Sequence, residues 1–78
     1  MKTIKPFKML CETIGQRDEV INILQVNGYT KWGLTGATEH NLVVKLYDDN
    51  DFGLYDEKNF GLFDGAPLTY SQFKEMYI

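Results

Sequence analysis

Residues able to do chemistry are few in this sequence, and most of them are acids between positions 48 and 64. Asp48-Asp49-Asn50-Asp51-Phe52-Gly53 has the outline of a calcium loop. Such a loop needs oxygen ligands at positions one, three and five, glycine at six and glutamate at twelve. Setting Gly53 at six puts Phe52 at five and Asn59 at twelve, and neither can serve. The acids therefore read as solvated turns. His40, Cys11 and Ser71 are each the single residue of their kind. One histidine makes no multi-histidine metal site, and Cys11 has no evident basic neighbour to turn a buried, inert thiol into a nucleophile. Ser71 falls in the first turn of an expected helix, with nothing to pair it with His40, so nucleophilic catalysis lacks support. Gly33-Leu34-Thr35-Gly36 is not part of a GxxxxGK phosphate cradle. No enzyme, metal or cofactor is expected.

Size and charge narrow the field further. The 78 residues form one domain, 1–78, and a chain this short buries only about 60% of the surface its unfolded form exposes. Its apolar side chains are committed to the core, which leaves little for a deep cleft. No 18-residue apolar run crosses a membrane, and MKTIKPFKML lacks the long apolar stretch and cleavage site of a signal peptide. A lone cysteine forms no intrachain disulfide and fits a reducing cytoplasm. The net charge of −3 is unevenly spread: residues 1–47 hold six basic side chains against four acidic ones, whereas 48–64 hold Lys58 alone against six acids. An acidic segment of this kind repels nucleic acid and attracts a basic protein surface.

The elements that must carry these residues follow from periodicity. Pro6–Glu12 alternates as a strand with Phe7, Met9 and Cys11 on one face. TIGQRDEVINILQVNGY reads as a helix with Ile14, Val20, Ile21 and Leu24 on its apolar face. Thr13 and Gln16 have capping-box spacing, and Gly28 can take the left-handed conformation past the last turn, letting Tyr29 fold back onto Leu24. YTKWGL suggests a short strand, TGATEHN a loop, and NLVVKLY a strand with Leu42, Val44 and Leu46 on one face. Phe52-Gly-Leu-Tyr-Asp and Phe60-Gly-Leu-Phe-Asp repeat one another across Asp56-Glu57-Lys58-Asn59. They are expected to form a hairpin pairing Tyr55 with Phe60, each glycine facing a leucine and Asn59 in the left-handed region. Finally Thr69 and Gln72 form a capping box, and Leu68 and Phe73 a hydrophobic staple, for a short last helix. The expected fold is α+β: a largely antiparallel sheet of four to five strands, one main helix packed on it and a short C-terminal helix, in the order β-α-β-β-β-β-α.

The run CETIGQRDEVINILQVNGYTKW, the strand LVVKLY and the terminal LTYSQF together resemble small accessory proteins of tailed phages. In those, a strand and helix lead into a Gly-aromatic-x-Trp stretch and the chain closes on a hydrophobic-Thr-x-x-x-Phe helix start. The acidic FGL doublet is not part of that pattern. The resemblance brings no catalytic residues. It implies a protein made in the infected host's cytoplasm that acts by binding a host or phage protein, including defence nucleases and CRISPR complexes.

The expected function is a non-enzymatic, protein-binding inhibitor. Asp48, Asp49, Asp51, Asp56 and Glu57 would meet a basic surface while Tyr55 anchors the contact. Two other readings stand beside it. One is a nucleic-acid module stacking bases on Trp32, Tyr47, Tyr55, Phe60 and Phe63, with Lys2, Lys5 and Lys8 nearby. The other is an assembly subunit docking through Tyr70, Met76 and Tyr77. Self-association is left open, as is whether the two acidic turns share a face.

Overall fold

A computed structural model describes residues 3–31 and 40–77. Four strands, β1 (Phe7–Leu10), β2 (Thr30–Lys31), β3 (Val43–Leu46) and β4 (Asp51–Tyr55), combine with helices α1 (Ile14–Val26) and α2 (Tyr70–Tyr77). The sheet is mixed, in the order β1-β3-β4-β2. β3 lies antiparallel to both β1 and β4, and β2 runs parallel to β4. The α+β class holds. The expected strand over 29–34 is seen as Thr30–Lys31; the remainder, with Trp32, lies outside the described residues, as do Lys2 and most of the loop TGATEHN.

Both helices end where their sequences say they should. Gln16 N donates to Thr13 Oγ1 at 3.1 Å, and Gln16 Oε1 accepts from Glu12 N at 3.0 Å. At the other end Gly28 has φ 91°, Tyr29 N donates to Leu24 O at 3.0 Å, and Gly28 N to Gln25 O at 3.1 Å. Those two bonds satisfy carbonyls that the last turn leaves open. For α2 the capping box is reciprocal: Gln72 N to Thr69 Oγ1 at 3.1 Å, and Thr69 N to Gln72 Oε1 at 3.0 Å.

One core lies between the sheet and the helices. Phe7, Met9, Val44, Leu46 and Phe52 from the strands meet Val20 and Leu24 of α1 and Phe73 of α2, with Ile4, Cys11 and Tyr29 completing it. Phe73 tilts against Phe7 with ring centroids 5.6 Å apart, and Tyr77 against Phe73 at 5.2 Å. The Tyr29 hydroxyl accepts from Ile4 N at 2.7 Å and donates to Ile4 O at 3.1 Å, which ties the residues before β1 to the end of α1. Between the helices, the Tyr70 hydroxyl donates to Glu19 Oε2, and Lys74 Nζ lies 3.5 Å from Glu19 Oε1. The tyrosine bond, helped by the lysine charge, holds the Glu19 carboxyl below its ordinary range.

The structure corrects two expectations, the burial of Ile14 and the hairpin from 52 to 63. Ile14 is 41% exposed, and Arg17 takes the buried place in the first turns of α1, its guanidinium held by Asp18 and by Asn41 O. β3 is buried on both faces, Val43 and Lys45 included. The hairpin from 52 to 63 does not form. Glu57–Leu62 is a 3-10 helix, so Tyr55 does not pair with Phe60, and Asn50 (φ 68°), not Asn59, takes the left-handed conformation. The second FGL segment does not return along β4, whose described neighbours are β3 over its last four residues and β2 at Asp51 and Phe52. It crosses the sheet face opposite α1 instead and reaches the far edge, where Lys8 N donates to Ala66 O and Leu68 N to Lys8 O. The hairpin present is β3–β4, closed by the first acidic turn.

Removing the Phe73 ring should cost about 3–5 kcal/mol, as truncation of a fully buried aromatic does. Thr69→Ala should cost about 1 kcal/mol for the lost cap. Urea unfolding monitored by circular dichroism measures both, and equal effects would mean that Phe73 does not close the core.

Candidate functional site

The six residues expected to meet a partner divide between the two ends of β4. Asp48 and Asp49 stand in the turn before it, Asp51 opens the strand, Tyr55 closes it, and Asp56 and Glu57 follow. The ends of a five-residue strand are about 13 Å apart. At the turn end Asp49 and Asp51 line a hollow of about 310 Å³ with Tyr47 and Tyr55. At the other end Asp56 and Glu57 line a separate, shallower one with His40, Leu42 and Lys58. There Asp56 Oδ1 accepts from Asn41 Nδ2 at 2.8 Å. Asp48 borders a third hollow with Lys45, Tyr47, Leu62, Phe63 and Asp64.

Tyr55 belongs to the turn end because of Gly53. Antiparallel register sets Val43 against Tyr55 and Leu46 against Phe52, so the backbone of Tyr55 lies far from Tyr47. Its ring, however, folds back over Gly53, two residues earlier on the same face. A Cβ on Gly53 would sit 2.7 Å from the Tyr55 hydroxyl oxygen, closer than real contacts allow. With that space free, the hydroxyls of Tyr47 and Tyr55 meet at 2.6 Å. Phe63 supports the Tyr55 ring from outside, with centroids 4.6 Å apart. The expectation that Gly53 faces a leucine across a hairpin gives way to this contact within β4.

The turn itself is rigid by its bonding. Asp51 N donates to Asp49 Oδ1 at 3.3 Å, Tyr47 N to Asp51 O at 2.8 Å, and Thr30 N from β2 to Asn50 O at 3.0 Å. Burial, and then the bond to Tyr47, push the Tyr55 phenol up to about 12. It stays neutral across the physiological range, so negative charge in the hollow comes from the aspartates. The hollow thus offers two carboxylates, two ring faces and neutral hydroxyls. It suits a cationic side chain, with charge attraction and ring contact acting together.

The other chemical candidates are dispersed. Cys11 is buried, and burial pushes its thiol up to about 11, far from a reactive thiolate. His40 is exposed beside β3, and Ser71 is exposed on α2. Among the described residues no three His, Cys, Asp or Glu side chains gather where a metal ion could be held, and no helix is long and apolar enough to cross a membrane. Phe60 and Phe63, named as stacking platforms, come from the crossing segment and pack on Lys8 and Tyr55. Of the terminal docking residues, Tyr70 and Tyr77 pack against the core and Met76 stands 56% exposed. Sequence reasoning named Tyr47 only as a stacking ring of the nucleic-acid alternative and did not place it beside the acids. Its signal was its place on the Val43–Lys45–Tyr47 face, next to a turn of acids. Comparison with protein-family models, curated proteins and solved structures brings no match.

The Tyr47–Tyr55 pair makes a titration prediction. A phenol raised above its ordinary 10.0 contributes stability in full below pH 10 and loses it as pH climbs towards about 12. Tyr47→Phe and Gly53→Ala should each bring Tyr55 down towards 10, read as phenolate absorbance against pH. An unchanged midpoint in both variants would mean that the hydroxyl pair does not exist in solution.

Proposed function

We propose that this chain is a non-enzymatic protein-binding module that recognises a basic surface through the turn end of its β3–β4 hairpin. The observation that carries the reading is the hollow in which Asp49 and Asp51 flank the paired rings of Tyr47 and Tyr55. An exposed carboxylate alone adds little affinity. Two of them against aromatic walls, on a turn held by backbone bonds, let a partner's lysine or arginine be gripped without ordering a loop first. Asp48 extends the negative field along the same turn and favours encounter with a positively charged partner. Asp56 and Glu57 add charge at the far end of β4, outside the hollow. The scatter of Cys11, His40 and Ser71 speaks for binding over catalysis. The resemblance to tailed-phage accessory proteins suggests the setting: a phage-encoded inhibitor of a host or defence factor, a nuclease or CRISPR complex, working in the bacterial cytoplasm by covering a basic surface.

Affinity capture from phage-infected cells, followed by mass spectrometry, tests the reading. The wild-type chain should retain a basic protein that elutes with salt. The Asp49→Asn/Asp51→Asn variant should bind it roughly tenfold more weakly, about 1–2 kcal/mol for one exposed and one half-buried charge acting with ring contacts. Asp56→Asn/Glu57→Gln should change it far less. Equal loss in both variants would replace the hollow with a diffuse acidic field, and no loss in either would refute the acidic-surface reading altogether.

A further inference from the structure

Residues 57–65 lie across a sheet face without a single buried side chain of their own, and Leu62 is 79% exposed. What they cover is well protected: Val43 has no exposure, and Lys45 is only 8% exposed although it carries a charge. The Lys45 ammonium donates to Leu46 O at 3.2 Å, stands 5.0 Å from the Tyr47 ring centre, and fits under Gly65, where a Cβ would come within 3.2 Å of it. Both ends of the stretch are fixed. Asn41 holds Asp56 at one end, and at the other Lys8 N bonds to Ala66 O and Leu68 N to Lys8 O. In the middle the Lys8 ammonium donates to Phe60 O at 3.1 Å and to Phe63 O at 3.2 Å, with the Phe60 ring centre 4.6 Å away.

We infer that residues 57–65 form a strap, latched by Lys8, that opens as a unit between its fixed ends and bares the amine of Lys45 and the apolar Val43. A segment with little apolar burial opens at a lower free energy than the sheet beneath it. Bonds from a charged donor are stronger than neutral ones, so one ammonium bridging two carbonyls sets much of that free energy. The sheet does not need the strap in order to pair, because β1, β3 and β4 keep their ladder hydrogen bonds without it. The strap touches the acidic hollow through Phe63, which packs on the Tyr55 ring, so its opening would also withdraw support from that ring.

Native-state hydrogen exchange and amine labelling with acetic anhydride test it on the whole chain. In the wild type the Asn59 amide, bonded to Asp56 O at 2.9 Å, should exchange through an opening that barely depends on urea, while the Cys11 and Tyr47 amides exchange only by global unfolding. Lys8→Met should speed Asn59 exchange and acetylation of Lys45 about tenfold and leave the Cys11 and Tyr47 amides protected. Should Lys8→Met fail to fold, the wild-type urea dependence decides alone. If Asn59 shares the urea dependence of Cys11, or if a folded Lys8→Met acetylates Lys45 at the wild-type rate, the strap is not a separate unit and the inference is overturned.

Discussion

An edge strand without a second neighbour exposes a row of backbone groups, and in this molecule the last stretch of chain meets that need at β1. Ala66, Pro67 and Leu68 pair along Lys8, and one turn into α2 the ring of Phe73 seats on Phe7. The one stroke covers the edge, which would otherwise invite pairing with another chain, and closes the core over the strand. Without Phe73 the inner face of β1 would lack its ring partner and α2 would lose its one fully buried side chain. Tyr77, at the end of α2, packs on that ring, and Leu68, before the helix, packs against the same core.

The opposite face of the sheet follows a different economy. A domain of this size cannot cover both faces with helices, so the outer face of β1, β3 and β4 is covered by a 3-10 turn and by side chains lying flat. Tyr55 lies over Gly53, Phe63 over Tyr55, and Lys8 over Phe60. Lysines serve here as much through their stems and through carbonyl bonds as through charge. The acids on this side are left at the rims, where water solvates them and a partner can reach them.

What could be read from the sequence was local. Caps at Thr13, Gly28 and Thr69 depend on neighbours within one turn, and each formed as expected. The alternation of Val43 to Leu46 marked a strand, but alternation says which side chains share a face and not that both faces are covered. The repeat at Phe52 and Phe60 misled for a related reason. Two segments with nearly the same letters took a strand and a 3-10 turn, a difference of tertiary setting that no local pattern carries. Ile14 was misplaced by treating the helix as a uniform cylinder. Ile14 is left 41% exposed, and the buried Arg17 guanidinium donates to Asn41 O. Of the candidate site, the acids and Tyr55 were visible by composition. Their division into two ends of one strand was not, because it depends on which turn belongs to the real hairpin.

The hold of residues 66–73 on residues 7 and 8 also bears on how the molecule is made. A chain emerging from the ribosome presents β1 and α1 well before the segment that completes β1 and the ring that covers Phe7. Such non-local closure delays structure until the distant partner arrives. A nascent chain halted before Phe73 would carry an apolar strand with nothing laid against it. β1 therefore gains its outer partner and its ring contact only through residues 66–73, more than fifty positions away in sequence.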